Sequence, residues 1–208
     1  MSSQIIPKYD VRDDRNLFVD VEMTCWEGDV PEGELQEVIE IGVAELDLAT
    51  LQITRSQSYL VAPAFSTITP YCTELTGISP ADMRRHGRPL AQVGARIAKD
   101  FGSRSKQWIS WGADRRAIER DHGLKGVPPT FSAAFFDMGL DFKHSLGQSR
   151  GIGLTKAMEL YGLERTGRIH SGEQDAIDTA HLWAEMARRR REELAHLLDR
   201  SESAIPRA

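Results

Sequence analysis

The sequence predicts an α/β fold built around one mixed sheet and flanked by helices. Two observations carry this prediction. The first part of the chain holds three strand-like runs separated by short loops, and the second part alternates helical and strand-like patterns. Strands joined by short loops pair antiparallel in chain order, whereas strands separated by helices run parallel. The length of 208 residues fits a single domain with short tails.

Three apolar runs predict the antiparallel part of the sheet. Residues 17–26 open with a hydrophobic strand, residues 38–46 form a second strand, and residues 52–62 form a third. Residues 27–36 are acidic and contain two glycines and a proline, which is typical of a loop. Residues 1–15 are polar and charged, and we expect them to form an extended N-terminal arm.

The remaining chain predicts helices and further strands parallel to the first. Ser79 followed by proline is typical of a helix start, and an amphipathic helix is predicted after Pro89. The next predicted elements are a strand at 108–111, a helix over 114–122 that stops at Gly123, a strand within 131–138 and a helix over 154–161 that stops at Gly162. The last helix starts near Ser171, whose spacing to Gln174 predicts a capping box.

Composition and charge exclude several classes of protein. The net charge of −5 argues against a protein that holds nucleic acid by bulk positive charge. The chain has no apolar run long enough to cross a bilayer, and its first residues lack the layout of a signal peptide. Cys25 and Cys72 form neither a disulfide framework nor a zinc-type spacing. We therefore expect a cytoplasmic protein with no membrane partner.

Two acids interrupt the first strand. Asp20 and Glu22 are two residues apart, so on a strand both side chains project from the same face. An acid at a strand end is often simply solvated, but two buried acids side by side repel each other unless a cation or a shared proton relieves them. This pair is the first indication of a metal site.

Three more residues fall where such a site would form. Asp114 follows the predicted fourth strand, Asp175 opens the last helix, and His170 precedes Asp175 on a glycine-containing loop. Strand ends and helix starts meet at one edge of an α/β sheet, so these side chains can converge with the first pair. Carboxylates without soft ligands favour Mg²⁺ or Mn²⁺, and two such ions about 4 Å apart promote phosphodiester hydrolysis. A neutral histidine beside them can accept the proton of the attacking water.

Three segments together resemble the motifs of one enzyme family. They are Phe-Val-Asp-Val-Glu-Met-Thr-Cys-Trp at 18–26, Ser-Trp-Gly-Ala-Asp at 110–114 and His-Ser-Gly-Glu-Gln-Asp-Ala at 170–176. In this order they resemble the motifs of the DEDDh group of DnaQ-like 3′–5′ exonucleases, which have a ribonuclease-H-like fold. The Thr-Cys-Trp segment, residues 37–42 and residues 75–78 are most similar to the RNA-degrading subgroup, which acts on histone-message ends, small interfering RNA and ribosomal RNA.

The resemblance implies a role for each matched residue. Asp20 would bridge two Mg²⁺ ions, Glu22 and Asp175 would hold the ion on the nucleophile side, and Asp114 would reach the second ion. His170 would be the general base. The implied substrate contacts are Met23, Thr24, Trp26 and Trp111, with the two tryptophans either stacking on a base or packing in the core. Mn²⁺ is expected to substitute for Mg²⁺.

The sequence thus predicts an exonuclease domain over residues 16–187, followed by a charged helix end and tail over 188–208. We expect hydrolysis at the 3′ end of single-stranded nucleic acid, with RNA preferred and nucleoside monophosphates released. The alternatives are a DNA-directed exonuclease of the repair kind and a catalytically silent module that binds nucleic acid or protein. The candidate basic rims are Arg188–Arg191, the group of Arg84, Arg85 and Arg88, and the pair Arg115 and Arg116.

Overall fold

A computed structural model describes residues 14–203, with side chains described through residue 198. The strands are β1 (Arg15–Met23), β2 (Val38–Asp47), β3 (Gln52–Leu60), β4 (Trp108–Ser110) and β5 (Phe135–Asp137). The helices are α1 (Pro70–Thr76), α2 (Pro80–His86), α3 (Leu90–Phe101), α4 (Asp114–Lys125), α5 (Met138–Ser145), α6 (Leu154–Leu160) and α7 (Gly172–Ser203).

The five strands form one sheet in the order β3-β2-β1-β4-β5. β1, β2 and β3 pair antiparallel, because loops join them directly. β4 pairs parallel with β1, and β5 pairs parallel with β4, because a helical crossover precedes each of them. The predicted mixed sheet, with three antiparallel strands and then strands parallel to the first, is confirmed.

Side-chain alternation along β1 divides the interior into two layers. Leu17, Val19 and Val21 pack on one face of the sheet against α3 and α4. Phe18 packs on the other face against α5, α6 and α7. The side chains at even-numbered positions of β1 therefore point toward α7, and Asp20 is one of them. The two apolar layers hold the sheet rigidly, while its carboxylate-bearing face meets the start of α7.

Some predicted boundaries were wrong. α4 continues past Gly123 to Lys125 and ends at Gly126, whose φ of 62° is the left-handed conformation that glycine tolerates. The prediction also missed α1 and α5. Each has a local start signal: Thr69 accepts the Cys72 N–H ahead of a proline, and Asp137 accepts the Leu140 N–H.

The two ends of the chain can be compared only in part with the predicted domain limits of 16 and 187. Residues 1–13 of the predicted arm lie outside the described residues, and Arg15 is the first residue of β1. At the other end, Arg189 donates to the Tyr161 carbonyl, and Arg191 donates to the carbonyls of Leu48 and Ala49. Side-chain hydrogen bonds therefore connect α7 to the rest of the protein as far as residue 191. Within residues 14–203, none of the helices has the length and apolarity needed to span a membrane.

Candidate active site

Three carboxylates meet where β1 and β4 end. Asp20 and Glu22 project from the same face of β1. β4 stops at Ser110, so beyond that point β1 has no β4 partner, and the first residue of α4 takes the position. The Val21 N–H donates to Asp114 Oδ1 at 3.3 Å, which places this carboxylate directly beside the other two. The predicted convergence of Asp114 with the first motif is what the structure shows.

α7 and the loop before it supply the opposite side of the site. Glu22, His170 and Asp175 each place one possible ligand atom within 4.8 Å of the others. Glu22 and Asp175 are buried, whereas His170 is exposed. All five residues singled out from the sequence therefore gather at one end of the sheet. His170 is thus the solvent-exposed member of this group.

Burial and mutual repulsion disfavour negative charge on these acids. Burial, together with the charges of the neighbouring Glu40 and Asp114, raises the pKa of Glu22 to about 7. The pKa of Asp20 is well above its ordinary value because of burial and the charges of Asp114 and Glu22. Burial also raises the pKa of Asp114, although the Ser110 hydroxyl and the Val21 N–H oppose that rise. A cation bound between these acids would stabilise the ionised form of each of them.

The donor set suits a hard divalent cation. Three of the converging groups are carboxylates on β1 and α4, a fourth comes from α7, and no thiolate is among them. Oxygen-only ligation is what Mg²⁺ and Mn²⁺ prefer. The residues Asp20, Glu22, Asp114 and Asp175 therefore fit the metal ions that the family resemblance implies.

A buried glutamate of β2 seats the first turn of α7. Glu40 lies directly opposite Glu22 in the β1–β2 register and is 4% exposed. Its carboxylate accepts the Gly172 N–H at 3.0 Å and the Glu173 N–H at 3.4 Å. The Ser58 hydroxyl donates to it at 2.7 Å. An acid at a helix N-terminus satisfies free amides and interacts favourably with the helix dipole.

The predicted capping box at the start of this helix does not form. The Gln174 amide turns away to donate to Thr166 and Asp178, each at 3.0 Å. A glutamate from another strand thus replaces the local cap, since Glu40 already binds the first amides of the helix.

Two glycines allow α7 to approach the sheet. A Cβ on Gly42 of β2 would overlap the backbone of Gly172, and a Cβ on Gly172 would lie 3.2 Å from the Asp20 carbonyl oxygen. The start of α7 therefore packs directly against the backbone of β1 and β2, with no side chain between them. This close contact brings Asp175, three residues further on, up to the carboxylates of β1.

Two arginines place positive charge beside the acids. Arg165 is hydrogen-bonded to Asp175 and donates to the fully buried Asp178 at 2.8 Å, one turn further along α7. Arg168 donates to the carbonyls of Glu74 and Leu75 at the end of α1. It therefore connects the loop that carries His170 to that helix. Both side chains also favour ionised acids, since Arg165 lowers the pKa of Asp20 and Arg168 lowers that of Glu22.

The backbone at the proposed base is unusual. His170 has a φ of 62°, a left-handed conformation that side chains other than glycine seldom adopt. Such conformations persist only where surrounding contacts impose them, and they concentrate at functional sites. Here Arg168 on one side and the seated α7 on the other impose it.

The four predicted substrate contacts fall into two groups. Met23 and Trp26 are half-buried near the carboxylates, with the Met23 sulfur 3.6 Å from Arg120 Nη2. Thr24 is fully buried, and its hydroxyl bonds to Leu35 and Glu37. The indole N–H of Trp111 donates to the Ile152 carbonyl, and its ring packs near Phe142. The side chains of Thr24 and Trp111 therefore serve packing.

Sequence reasoning missed Glu40, Arg165 and Arg168. Glu40 had a usable signal, because it interrupts an otherwise apolar strand just as Asp20 interrupts β1. The two arginines had none, since only the fold brings the loop of residues 161–171 against α1 and α7.

Comparison with known proteins identifies the family. The family model described as Exonuclease (RNase_T) matches residues 17–183, which include every residue of the site. The mixed sheet, with acids where neighbouring strands end, is typical of a nuclease-like protein. The match to the family model makes this assignment specific. The chain belongs to this exonuclease family.

Individual relatives are distant. The human protein "ERI1 exoribonuclease 2" is 26% identical over 197 residues, covering 83% of this chain and 28% of the relative. "Probable 3′-5′ exonuclease KapD" of Bacillus subtilis (strain 168) is 24% identical over 169 residues, covering 80% and 82%. The solved nuclease domain of 3′hExo, a DEDDh family member bound to rAMP, superimposes with a TM-score of 0.74 at 24% identity, covering 84% and 92%. The chain thus spans under a third of the human relative and most of the bacterial one.

Proposed function

We propose that this protein is a metal-dependent 3′–5′ exonuclease that hydrolyses single-stranded nucleic acid from its 3′ end and prefers RNA. The observation that carries the proposal is the convergence of Glu22, His170 and Asp175 from two distant parts of the chain. A module that only binds nucleic acid needs neither desolvated acids nor a histidine above them. Family membership and the names of the exoribonuclease relatives support the same activity.

The site residues divide into cation ligands and a base. Asp20, Glu22, Asp114 and Asp175 would hold two Mg²⁺ ions, with Mn²⁺ as a substitute. When bound, the ions would supply charge neutralisation for the scissile phosphate and a lowered pKa for the attacking water. His170 would accept the proton of that water, because its imidazole is exposed beside Glu22 and Asp175. Cleavage at the last phosphodiester would release a nucleoside monophosphate.

The carboxylates reject a polyanion until cations are present. Asp20, Glu22 and Asp114 lie together in a protein whose net charge is −5. Phosphate binding at the site would therefore depend on the ions. Terminal-nucleotide contacts would come from Met23 and Trp26, which are half-buried. Trp111 is half-buried too, but its indole N–H is already bonded to the Ile152 carbonyl.

The direct test is a gel time course on matched 5′-labelled single-stranded RNA and DNA. We expect a ladder that shortens from the 3′ end with Mg²⁺ or Mn²⁺, stops with chelator, and runs faster on RNA. Asp175→Ala should fold but lose activity. His170→Ala should keep metal binding, measured by calorimetry, while kcat falls about 10²- to 10⁴-fold.

The controls separate the alternatives. Equal activity of Asp175→Ala and the parent would remove the assignment of this residue to the metal site. A faster rate on DNA would favour the DNA-directed alternative. Folded parent protein that degrades neither substrate with any metal would leave the silent binding module as the reading.

A further inference from the structure

The three candidate basic rims differ in whether their charges are already paired. Arg188 pairs with Glu185 and Glu192, and Arg189 pairs with Glu185. Arg191 donates to the carbonyls of Leu48 and Ala49. Three of the four arginines in this run are therefore engaged within the protein, and Arg190 is the one without a side-chain bond among residues 14–198.

Most arginines of the rim on α4 are also engaged in contacts within the protein. Arg115 pairs with Glu119 at 2.7 Å, and its guanidinium lies over the Phe135 ring. Arg120, one turn further on, donates to the Gln36 carbonyl at 2.8 Å. Only Arg116 is left on this helix without a side-chain hydrogen bond among residues 14–198.

The segment after α1 is different. Arg84, Arg85, His86 and Arg88, which we call the arginine patch, are all exposed. Within the part of the chain whose side chains are described, none of them forms an ion pair. The nearest acid in sequence, Asp82, is occupied by the N–H and hydroxyl of Ser79 in the capping box of α2. Cations at the end of a helix gain a few tenths of a kcal/mol from its dipole, but Arg88 lies beyond the helix.

The arginine patch is fixed to the sheet near the catalytic end. The Arg88 N–H donates to the Leu60 carbonyl at 3.1 Å, and its own carbonyl accepts the Ala62 N–H at 2.9 Å. Leu60 lies opposite Glu40, and Glu40 lies opposite Glu22. Three interstrand steps place Arg88 about 15 Å from Glu22. The Arg88 guanidinium is also held, since Nη1 donates to the Gly87 carbonyl at 2.8 Å.

The loop that follows β1 has the opposite charge. The loop between β1 and β2 carries exposed Glu27, Asp29 and Glu32. A phosphate chain leaving the carboxylates is repelled by that loop and attracted toward the arginine patch.

We propose that the arginine patch binds the sugar–phosphate chain of the substrate upstream of its 3′-terminal nucleotide. This inference rests on the proposed nuclease function and adds a second contact region to it. The patch acts through charge, so it raises affinity for longer single strands without sequence preference. A dinucleotide, which ends before it reaches the patch, gains nothing.

The test compares two double variants of equal charge. Arg84→Gln with Arg85→Gln removes two exposed patch cations whose side chains make no hydrogen bond to any residue between 14 and 198, so we expect the fold to be preserved. Arg104→Gln with Arg150→Gln is the matched control, since both residues are exposed and lie in loops away from the patch. We expect the patch variant to keep the parent kcat/KM on an RNA dinucleotide. On a longer single-stranded RNA its KM should rise about 10-fold at low salt, and the salt dependence should fall by about one unit of log–log slope. The control should match the parent.

Equilibrium binding of the longer RNA with Mg²⁺, measured by fluorescence anisotropy with His170→Ala added to every chain to slow turnover, gives a readout that does not depend on activity. Weaker binding by the patch variant alone supports the proposal even if no substrate is hydrolysed, an outcome that would defeat only the proposed function. Parent-like KM and parent-like RNA binding would overturn the proposal, and an acidic protein surface would then be the partner to seek. An equal loss on the dinucleotide would also overturn it, because the patch would then act on the catalytic site itself.

Discussion

At the scale of single residues, the fold holds several acids close together although their negative charges repel each other. Glu22 shows this most clearly, because burial is the largest cause of its raised pKa and neighbouring carboxylates add to it. Between pH 4.5 and about 7, this carboxyl is therefore protonated in the folded protein without metal and ionised in the unfolded chain. A proton and a divalent cation are alternative ways of relieving the same repulsion.

This competition predicts a pH-dependent stability. A carboxyl whose pKa is raised from 4.5 to about 7 stabilises the fold fully below pH 4.5. That contribution, on the order of 3 kcal/mol, is lost as the pH rises to about 7. In chelator, we expect the Tm difference between the parent and Glu22→Gln to move against the parent over this interval. Added Mg²⁺ should raise the parent Tm increasingly over the same interval.

Thermal unfolding followed by circular dichroism measures both effects. Glu22→Gln is the reference because it keeps the shape of the side chain and cannot titrate. A parent whose stability relative to this variant grows with pH between 4.5 and 7 would contradict the assigned direction of the shift.

At the scale of elements, the contact between β2 and the start of α7 decides whether the site assembles. Glu40 binds the first amides of the helix, and the pair Gly42 and Gly172 removes the side chains that would hold helix and strand apart. Asp175 and His170 sit on either side of this contact. Their position relative to β1 therefore depends on glycine at residue 42.

Two glycine substitutions test this dependence. Gly42→Ala places a methyl group on the Gly172 backbone, so we expect a loss of about 1–3 kcal/mol in the free energy of unfolding and a large loss of kcat. Gly123→Ala, inside α4 with no atom within 4 Å of the added Cβ, should instead stabilise by about 0.5–1 kcal/mol and leave kcat unchanged. Urea denaturation and single-turnover rates measure both. Full activity in Gly42→Ala would show that the helix start does not position Asp175.

At the scale of the whole molecule, the catalytic unit ends within α7. The family match stops at residue 183, and beyond it Arg189 and Arg191 bond to carbonyls outside the helix. Residues 192–198 are exposed, with Leu194 and Leu197 about half exposed. We infer that the end of α7 beyond Arg191 is dispensable for the fold.

Two truncations test that boundary. A chain ending at Arg191 should change the free energy of unfolding by less than about 0.5 kcal/mol and keep dinucleotide hydrolysis. A chain ending at Ala187 loses the bonds to the Tyr161, Leu48 and Ala49 carbonyls and should lose about 1–3 kcal/mol. Chemical denaturation of both chains measures the difference. Equal stability of the two would move the boundary back to residue 187.

Local signals were sufficient for most of the elements and for the five central residues. Asp20 and Glu22 broke an apolar strand, and Asp114, His170 and Asp175 fell at predicted strand ends and helix starts, which an α/β sheet brings together. The same reasoning did not show that the side chains of Thr24 and Trp111 are engaged in contacts within the protein. Whether a polar or aromatic side chain next to a motif faces solvent depends on elements far away in the chain, such as the Leu35 loop and the segment at Ile152.

The sequence by itself determined the sheet, its strand directions and the identity of the acids, because alternation and spacing act between neighbours in the chain. Tertiary structure alone decided what holds those acids in place. Glu40 meets the first turn of α7 across 132 positions, and Arg168 meets the end of α1 across 94. It also decided which arginines are free to bind a ligand, since an ion pair depends on distance in space, and no spacing along the chain encodes it.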